Sequence, residues 1–178
     1  KSIMNFLSLA ADEHVTSVLP MTKEIKGIDV SIMMMTKEGV AKKVDAASFT
    51  DVRKSGIIAI KLHEEDKLVS ASFVSAKDEI IVVTQNGQSI RFKEADIREM
   101  GRNAAGVRGM KLGKGDIVVS ALPVYKSEAD QNLLVFSENG YGKQTELSEY
   151  KVQNRGGSGI KTAKVTTKIG KIMSAAVV

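Results

Sequence analysis

Cations are the residues in this sequence whose type and spacing recur in a way that could do chemistry. Lys42 and Lys43, then Arg91, then Lys143 each follow a glycine (Gly39, Gly87, Gly140) by three or four places. Further on, Lys61, Lys111 and Lys164 each follow a second glycine (Gly56, Gly106, Gly159) by five places. Between the first glycine and that second lysine, residues 39–61 carry five cations and two anions, residues 87–111 six and three, and residues 140–164 five and two. Each segment is therefore +3, and the three together are +9 in a chain whose net charge is +5, which leaves −4 for everything else. Fixed positive charge at regular intervals suits the regularly spaced phosphates of a duplex.

Other chemistries find little support. The two histidines, His14 and His63, lack a second metal ligand at helical or hairpin spacing, and Glu64-Glu65-Asp66 beside His63 reads as an exposed turn. No metal site is expected. Gly140-Tyr141-Gly142-Lys143 lacks the glycine-to-lysine spacing of a phosphate-binding loop. No Ser-His-Asp set can be assembled, so no catalytic residue and no cofactor is assigned. Tyr125, Tyr141 and Tyr150 fall in the repeated strands or loops and read as packing or rim residues. Without cysteine there are no disulfides or thiolate metal sites, as suits a reducing cytoplasm. No apolar run approaches the roughly 18–20 residues of a membrane span. Nothing at the start resembles a signal peptide. Five Phe, three Tyr and no Trp are few stacking platforms for single-stranded nucleic acid.

The elements that position the cations must repeat with them. Ile32–Gly39, Ile80–Gly87 and Leu133–Gly140 each read as an apolar strand, then Thr or Ser, two polar residues and Gly. Asn86-Gly87 and Asn139-Gly140 predict tight hairpins of type I′. After the hairpin come a short basic strand, a polar loop, the small-residue–Gly pair, the Lys-aliphatic pair and a closing strand: 67–74, 117–124 or 171–178. Four short strands in roughly 50 residues predict an all-β, propeller-like fold of four-stranded blades. The expected units are 22–74, 75–124 and 125–178. Residues 1–21 match only a closing half-unit, because Ser17-Val18-Leu19-Pro20-Met21 parallels Ser120-Ala121-Leu122-Pro123-Val124. Such a chain should leave open blade edges.

If the units ring an axis, the +3 segments form one basic surface. The candidate DNA-binding residues are Lys42, Lys43, Arg53, Lys54, Arg91, Lys93, Arg98, Arg102, Arg108, Lys143, Lys151, Arg155 and Lys161. Read as surface residues, Arg91, Arg102 and Arg108 should be replaceable without loss of the fold. With few aromatics and no recognition helix, contacts should go mainly to phosphates, and sequence preference should come from DNA bendability.

The stretch Ile81-Val82-Val83-Thr84-Gln85-Asn86-Gly87, with Arg91-Phe92 and Gly101–Leu112, resembles a blade of the C-terminal domain of the DNA gyrase A subunit, and so does Glu138–Tyr150. The resemblance spans essentially the whole chain. It implies a β-pinwheel whose neighbouring blades exchange a strand, with duplex DNA bent around a basic outer rim. It implies a bacterial cytoplasmic, nucleoid-associated setting, where the partners are the rest of gyrase A, together with gyrase B. The role implied is wrapping DNA for ATP-driven negative supercoiling, with strand breakage and rejoining done elsewhere in the parent protein. The family's box, Gln-Arg-Arg-Gly-Gly-Lys-Gly, is matched at five of seven positions by Gln153-Asn154-Arg155-Gly156-Gly157-Ser158-Gly159. The second-position Arg and the Lys are missing, so this loop resembles a degenerate copy of the box. Its glycines fit either phosphate contact or plain turn chemistry. By order, the units look like the end of the second blade followed by the third, fourth and fifth. The topoisomerase IV counterpart and a protein-interaction propeller remain alternatives.

Overall fold

The chain is described by a computed structural model covering residues 7, 9–10, 13–21, 29–50, 52, 55–126 and 130–178. Eleven strands form three antiparallel sheets among these residues. In chain order they are β1 (Val30–Thr36), β2 (Val40–Asp45), β3 (Leu68–Ser75), β4 (Glu79–Thr84), β5 (Gln88–Lys93), β6 (Val107–Arg108), β7 (Val118–Val124), β8 (Asn132–Ser137), β9 (Gly142–Glu146), β10 (Ile160–Lys161) and β11 (Ile172–Val177). A short 3-10 turn follows each hairpin, at Ala46–Phe49, Glu94–Asp96 and Leu147–Glu149.

The sheets are ordered β3-β1-β2-β6, β10-β5-β4-β7 and β11-β8-β9. β6 and β10 therefore leave their own units and pair with the hairpin of the unit before, Val40 with Arg108 and Ile160 with Ser89. This is the strand exchange that the resemblance implies. A set of four strands per unit is thus realised only by lending: the third sheet has three strands among the described residues, and Ile57–Ile60 of the first unit forms no strand.

The first two blades are covered on both faces, which is why their central strands β1 and β4 are continuously buried rather than alternating. Ile80 and Val82 of β4 face Met33, Met35 and Met110, while Ile81 and Val83 face Leu133, Val135 and Ile172. The closing strands β3, β7 and β11 lie against one another in successive blades, so they form the inner edge. They are also stitched together. Ser120 Oγ accepts from Ala175 N–H at 2.9 Å, and Ser17 Oγ accepts from Ala71 N–H at 3.2 Å. The exchanged strands β6 and β10 occupy the opposite, outer edge. Of the first 21 residues, 7, 9–10 and 13–21 are described and carry no strand; residues 1–6, 8 and 11–12 lie outside the described set.

The hairpins differ from the type I′ expectation. Gly87 N–H donates to Thr84 O at 3.0 Å, so Gln85 and Asn86 are the central residues, and neither has positive φ. Only the glycine does, with φ of 79° at Gly87 and at Gly140 and 81° at Gly39. The loop is the longer kind that ends on one left-handed glycine. The register places that glycine where the exchanged strand arrives. A Cβ on Gly87 would stand 2.2 Å from Ala163 O, and one on Gly39 would stand 2.8 Å from Met110 O. At Gly140 nothing lies within 4 Å.

This contrast predicts a graded response. Gly140→Ala should cost about 1–2 kcal/mol, the strain of a left-handed alanine. Gly87→Ala should cost clearly more, since the exchanged strand must also move. Urea unfolding of both variants checks it, and equal losses would show that turn strain alone matters.

Candidate nucleic-acid interface

The candidate cations divide into two groups. One group is held inside the blade junctions. Lys42 is fully buried on β2, and its Nζ donates to Ala59 O at 2.7 Å and to Arg102 O of the next unit. Burial holds its ammonium below the ordinary lysine range. Lys43, its neighbour, pairs with the Glu94 carboxylate of the next unit. Arg91, which occupies the position of Lys43 in the second unit, makes a two-nitrogen pair with Glu79, both contacts at 2.6 Å. Its Nη1 also reaches Leu147 O of the next unit at 2.6 Å. Leu147 is the repeat equivalent of Glu94, so one cation position grips one site on the following blade by two different chemistries. Lys143 donates to Thr162 O at 3.0 Å, the same reach that Lys42 makes to Ala59. Arg155 donates to Asp96 O and Arg108 O of the preceding unit.

The expectation of a single exposed basic surface is therefore corrected for Lys42, Lys43 and Arg91. Strand alternation would turn only one of two adjacent residues inward, but both faces of β2 are covered, so Lys42 and Lys43 are both enclosed. Each is tolerable there because it has a carbonyl or carboxylate partner.

The second group faces outward. Lys93, Arg98, Arg108, Lys151 and Lys161 are exposed, as are Lys111 and Lys164. Lys143 is exposed as well, apart from its one bond to Thr162. Arg98 and Lys151 occupy equivalent places just after the 3-10 turns, where Glu99 and Val152 bridge in parallel to Lys43 and Arg91. Arg108 and Lys161 are the cations of the two exchanged outer strands. Arg102 is half-buried, and Arg53 and Lys54 lie outside the described residues.

Sequence reasoning missed the acidic anchors. Asp116 is buried and accepts from Asn86 N–H and Ile117 N–H, both at 2.9 Å, and from Thr84 Oγ1 at 2.7 Å. Asp66 accepts from Glu38 N–H at 3.0 Å and Lys67 N–H at 2.8 Å. These carboxylates tie the hairpin turn to the closing strand. A Thr followed 30 or 32 residues later by Asp was the available signal. Tyr150 is a packing residue, buried with its hydroxyl on Thr162 Oγ1, whereas Tyr141 is exposed with Lys168 Nζ 5.6 Å from its ring centre. Among the described residues, no group of three or more His, Cys, Asp or Glu could hold a metal, and no helix is long and apolar enough to cross a membrane.

Blades linked by strand exchange, with recurrent cations on the exchanged edge, define a propeller-type domain with a basic outer rim. The model of the DNA gyrase C-terminal domain, beta-propeller, family matches residues 31–75, 78–124 and 131–178. The chain belongs to that family. It is 38% identical over 175 residues to the DNA gyrase A protein of Escherichia coli, covering 98% of this chain and 19% of that protein. It is 39% identical over 171 residues to that of Staphylococcus epidermidis, covering 96% of this chain and 19% of the relative. The chain thus spans about one fifth of these relatives. A solved DNA gyrase A C-terminal domain matches all of the chain and 58% of its own length, with a TM-score of 0.84 at 30% identity. A DNA topoisomerase IV C-terminal domain matches all of the chain and 55% of its own, with a TM-score of 0.90 at 24% identity, a likeness of fold.

Two outcomes test the division of the cations. Arg91→Ala should lower stability by about 2 kcal/mol by leaving the half-buried Glu79 carboxylate without its donor and Leu147 O with the Tyr150 N–H alone, while Arg98→Ala leaves the melting temperature nearly unchanged. Lys42 gives a pH signature. Its folded pKa lies below the ordinary lysine value of 10.5, so between the two pKa values the unfolded chain binds the extra proton and stability rises with pH. The stability difference between the unaltered chain and Lys42→Met should therefore shift in favour of the unaltered chain as pH rises toward 10.5. A difference that is constant with pH would show that Lys42 titrates normally.

Proposed function

We propose that this chain binds duplex DNA along its outer edge and holds it bent, as the wrapping domain of a gyrase A protein. The observation that carries the reading is the recurrence of exposed cations at equivalent places in successive blades: Arg98 with Lys151, Arg108 with Lys161, Lys111 with Lys164. Cations placed by blade geometry rather than by chance recur at a fixed interval, as phosphates do. The outer strands β6 and β10 present only one cation each, with no α-helix among the described residues to enter a groove, so contacts go to the backbone and selection is by deformability. In the parent protein, such wrapping would feed DNA to a strand-passing centre outside this chain. Supercoiling with a gyrase B partner and ATP belongs to that assembly.

The test is a duplex titration across salt concentrations. The unaltered chain should show log K falling with log salt by several units, and replacing Arg98, Lys151 and Lys161 with Gln should reduce the slope by about 0.9 for each phosphate no longer engaged. Melting temperatures should stay level. A flat slope for the unaltered chain, with binding to an acidic protein instead, would establish the protein-interaction alternative.

A further inference from the structure

The loop Gln153–Gly159 is packed onto the preceding unit at five points. Gln153 N–H donates to Arg91 O at 2.8 Å, and Gly156 N–H donates to Gly109 O at 2.6 Å. Lys111 N–H returns a bond to Gly157 O at 2.9 Å. Arg155 supplies the remaining two, with Nε on Asp96 O at 2.8 Å and Nη1 on Arg108 O at 3.0 Å. The loop also seats a side chain. A Cβ on Gly156 would come within 3.9 and 4.0 Å of the Cγ and Cδ of Arg108, so the stem of that exposed arginine lies over the glycine. Gly159 meets the preceding hairpin still more closely, where a Cβ would be 2.1 Å from Ser89 O.

The positive φ of Gly156 and Gly159, and the close approach at Gly159, serve docking on the neighbouring blade. Two of the guanidinium's donors are taken by carbonyls of the 96–108 arm, and the planar fork is what lets one side chain reach both. Arg108 is the residue this arrangement delivers to the outer edge: its carbonyl is held by Arg155, its stem by Gly156, and its strand β6 by β2.

We infer that Arg155 is a positioning residue, which fixes Arg108 of the preceding blade in place for a phosphate and does not itself bind the phosphate. This rests on the DNA reading above. The box-like loop then acts between blades: it sets the outward cation Arg108 of the blade before it, so the place of that phosphate contact is set at the junction.

A double-mutant cycle on the 178-residue chain tests it, read as the slope of log K against log salt with a DNA duplex. Arg108→Gln should lower the slope by about one phosphate's worth. Arg155→Gln should do the same, and the double variant should lose no more than either alone. Arg155→Lys keeps the charge but loses the two-pronged reach, and should behave as Arg155→Gln. Thermal unfolding run alongside should show the single variants folded. If the two reductions add to about two phosphates, or Arg155→Lys retains the full slope, Arg155 binds phosphate directly and the inference is overturned. Should Arg155→Gln fail to fold, Arg155→Lys paired with Arg108→Gln makes the same comparison. A flat slope for the unaltered chain is a different failure: it removes the DNA reading, and this inference with it.

Discussion

Thr162 and Ala163 both direct their backbone N–H groups to one carbonyl, that of Gly87, and Gly109 and Met110 do the same to Gly39. At these points a strand from one unit closes on the hairpin of the unit before. The approach is so tight that a side chain at either glycine would collide with the arriving backbone. A lone hairpin with one closing strand has an unsatisfied outer edge and two apolar faces. Lending a strand backwards covers the edge, and stacking the next blade covers the face, so neither unit completes its core without the other.

The third sheet shows the same economy from the other side. β9 has no strand on its outer edge among the described residues, and its residues are mostly exposed, whereas β2 is mostly buried. Phe136, which takes the place of the fully buried Met35 and Val83, is 43% exposed. The burial of a residue in this fold is therefore a property of the junction it faces, and identical positions differ according to whether a following unit is docked there.

That dependence explains what the sequence disclosed and what it hid. The turn glycines, the second glycines and the Lys-aliphatic pairs are punctuation fixed by backbone geometry, and they read directly as repeated all-β units. The destination of β6 and β10 did not follow from strand pattern, because two residues carry no periodicity; it came with the family resemblance. The type I′ expectation failed because Asn-Gly is a local signal, and the pairing of Met35 with Ala41 shifts the glycine to the last place of a longer loop. The bias of charge was visible, but the direction of each cation was not. The carboxylates that claim Arg91 and Lys43 lie 12 and 51 residues away in the chain, and only the fold brings them near.

Sorting cations by partner changes how the charge should be understood. The +9 carried by the three basic segments is not all available to a polyanion. Lys43 and Arg91 are matched by Glu94 and Glu79, and Lys42 and Arg155 are turned onto carbonyl oxygens. Paired and buried charges are screened little by salt and belong to stability, whereas free rim charges are those whose counterions a duplex would displace. The inner cations set how one blade sits on the next, and thereby where the outer ones stand. Bending a short duplex costs about 1–6 kcal/mol on elastic estimates. Cations on separately mobile loops could follow a straight duplex and leave that cost unmet. Cations fixed to interlocked blades cannot, so on the proposed reading the duplex must curve to reach them.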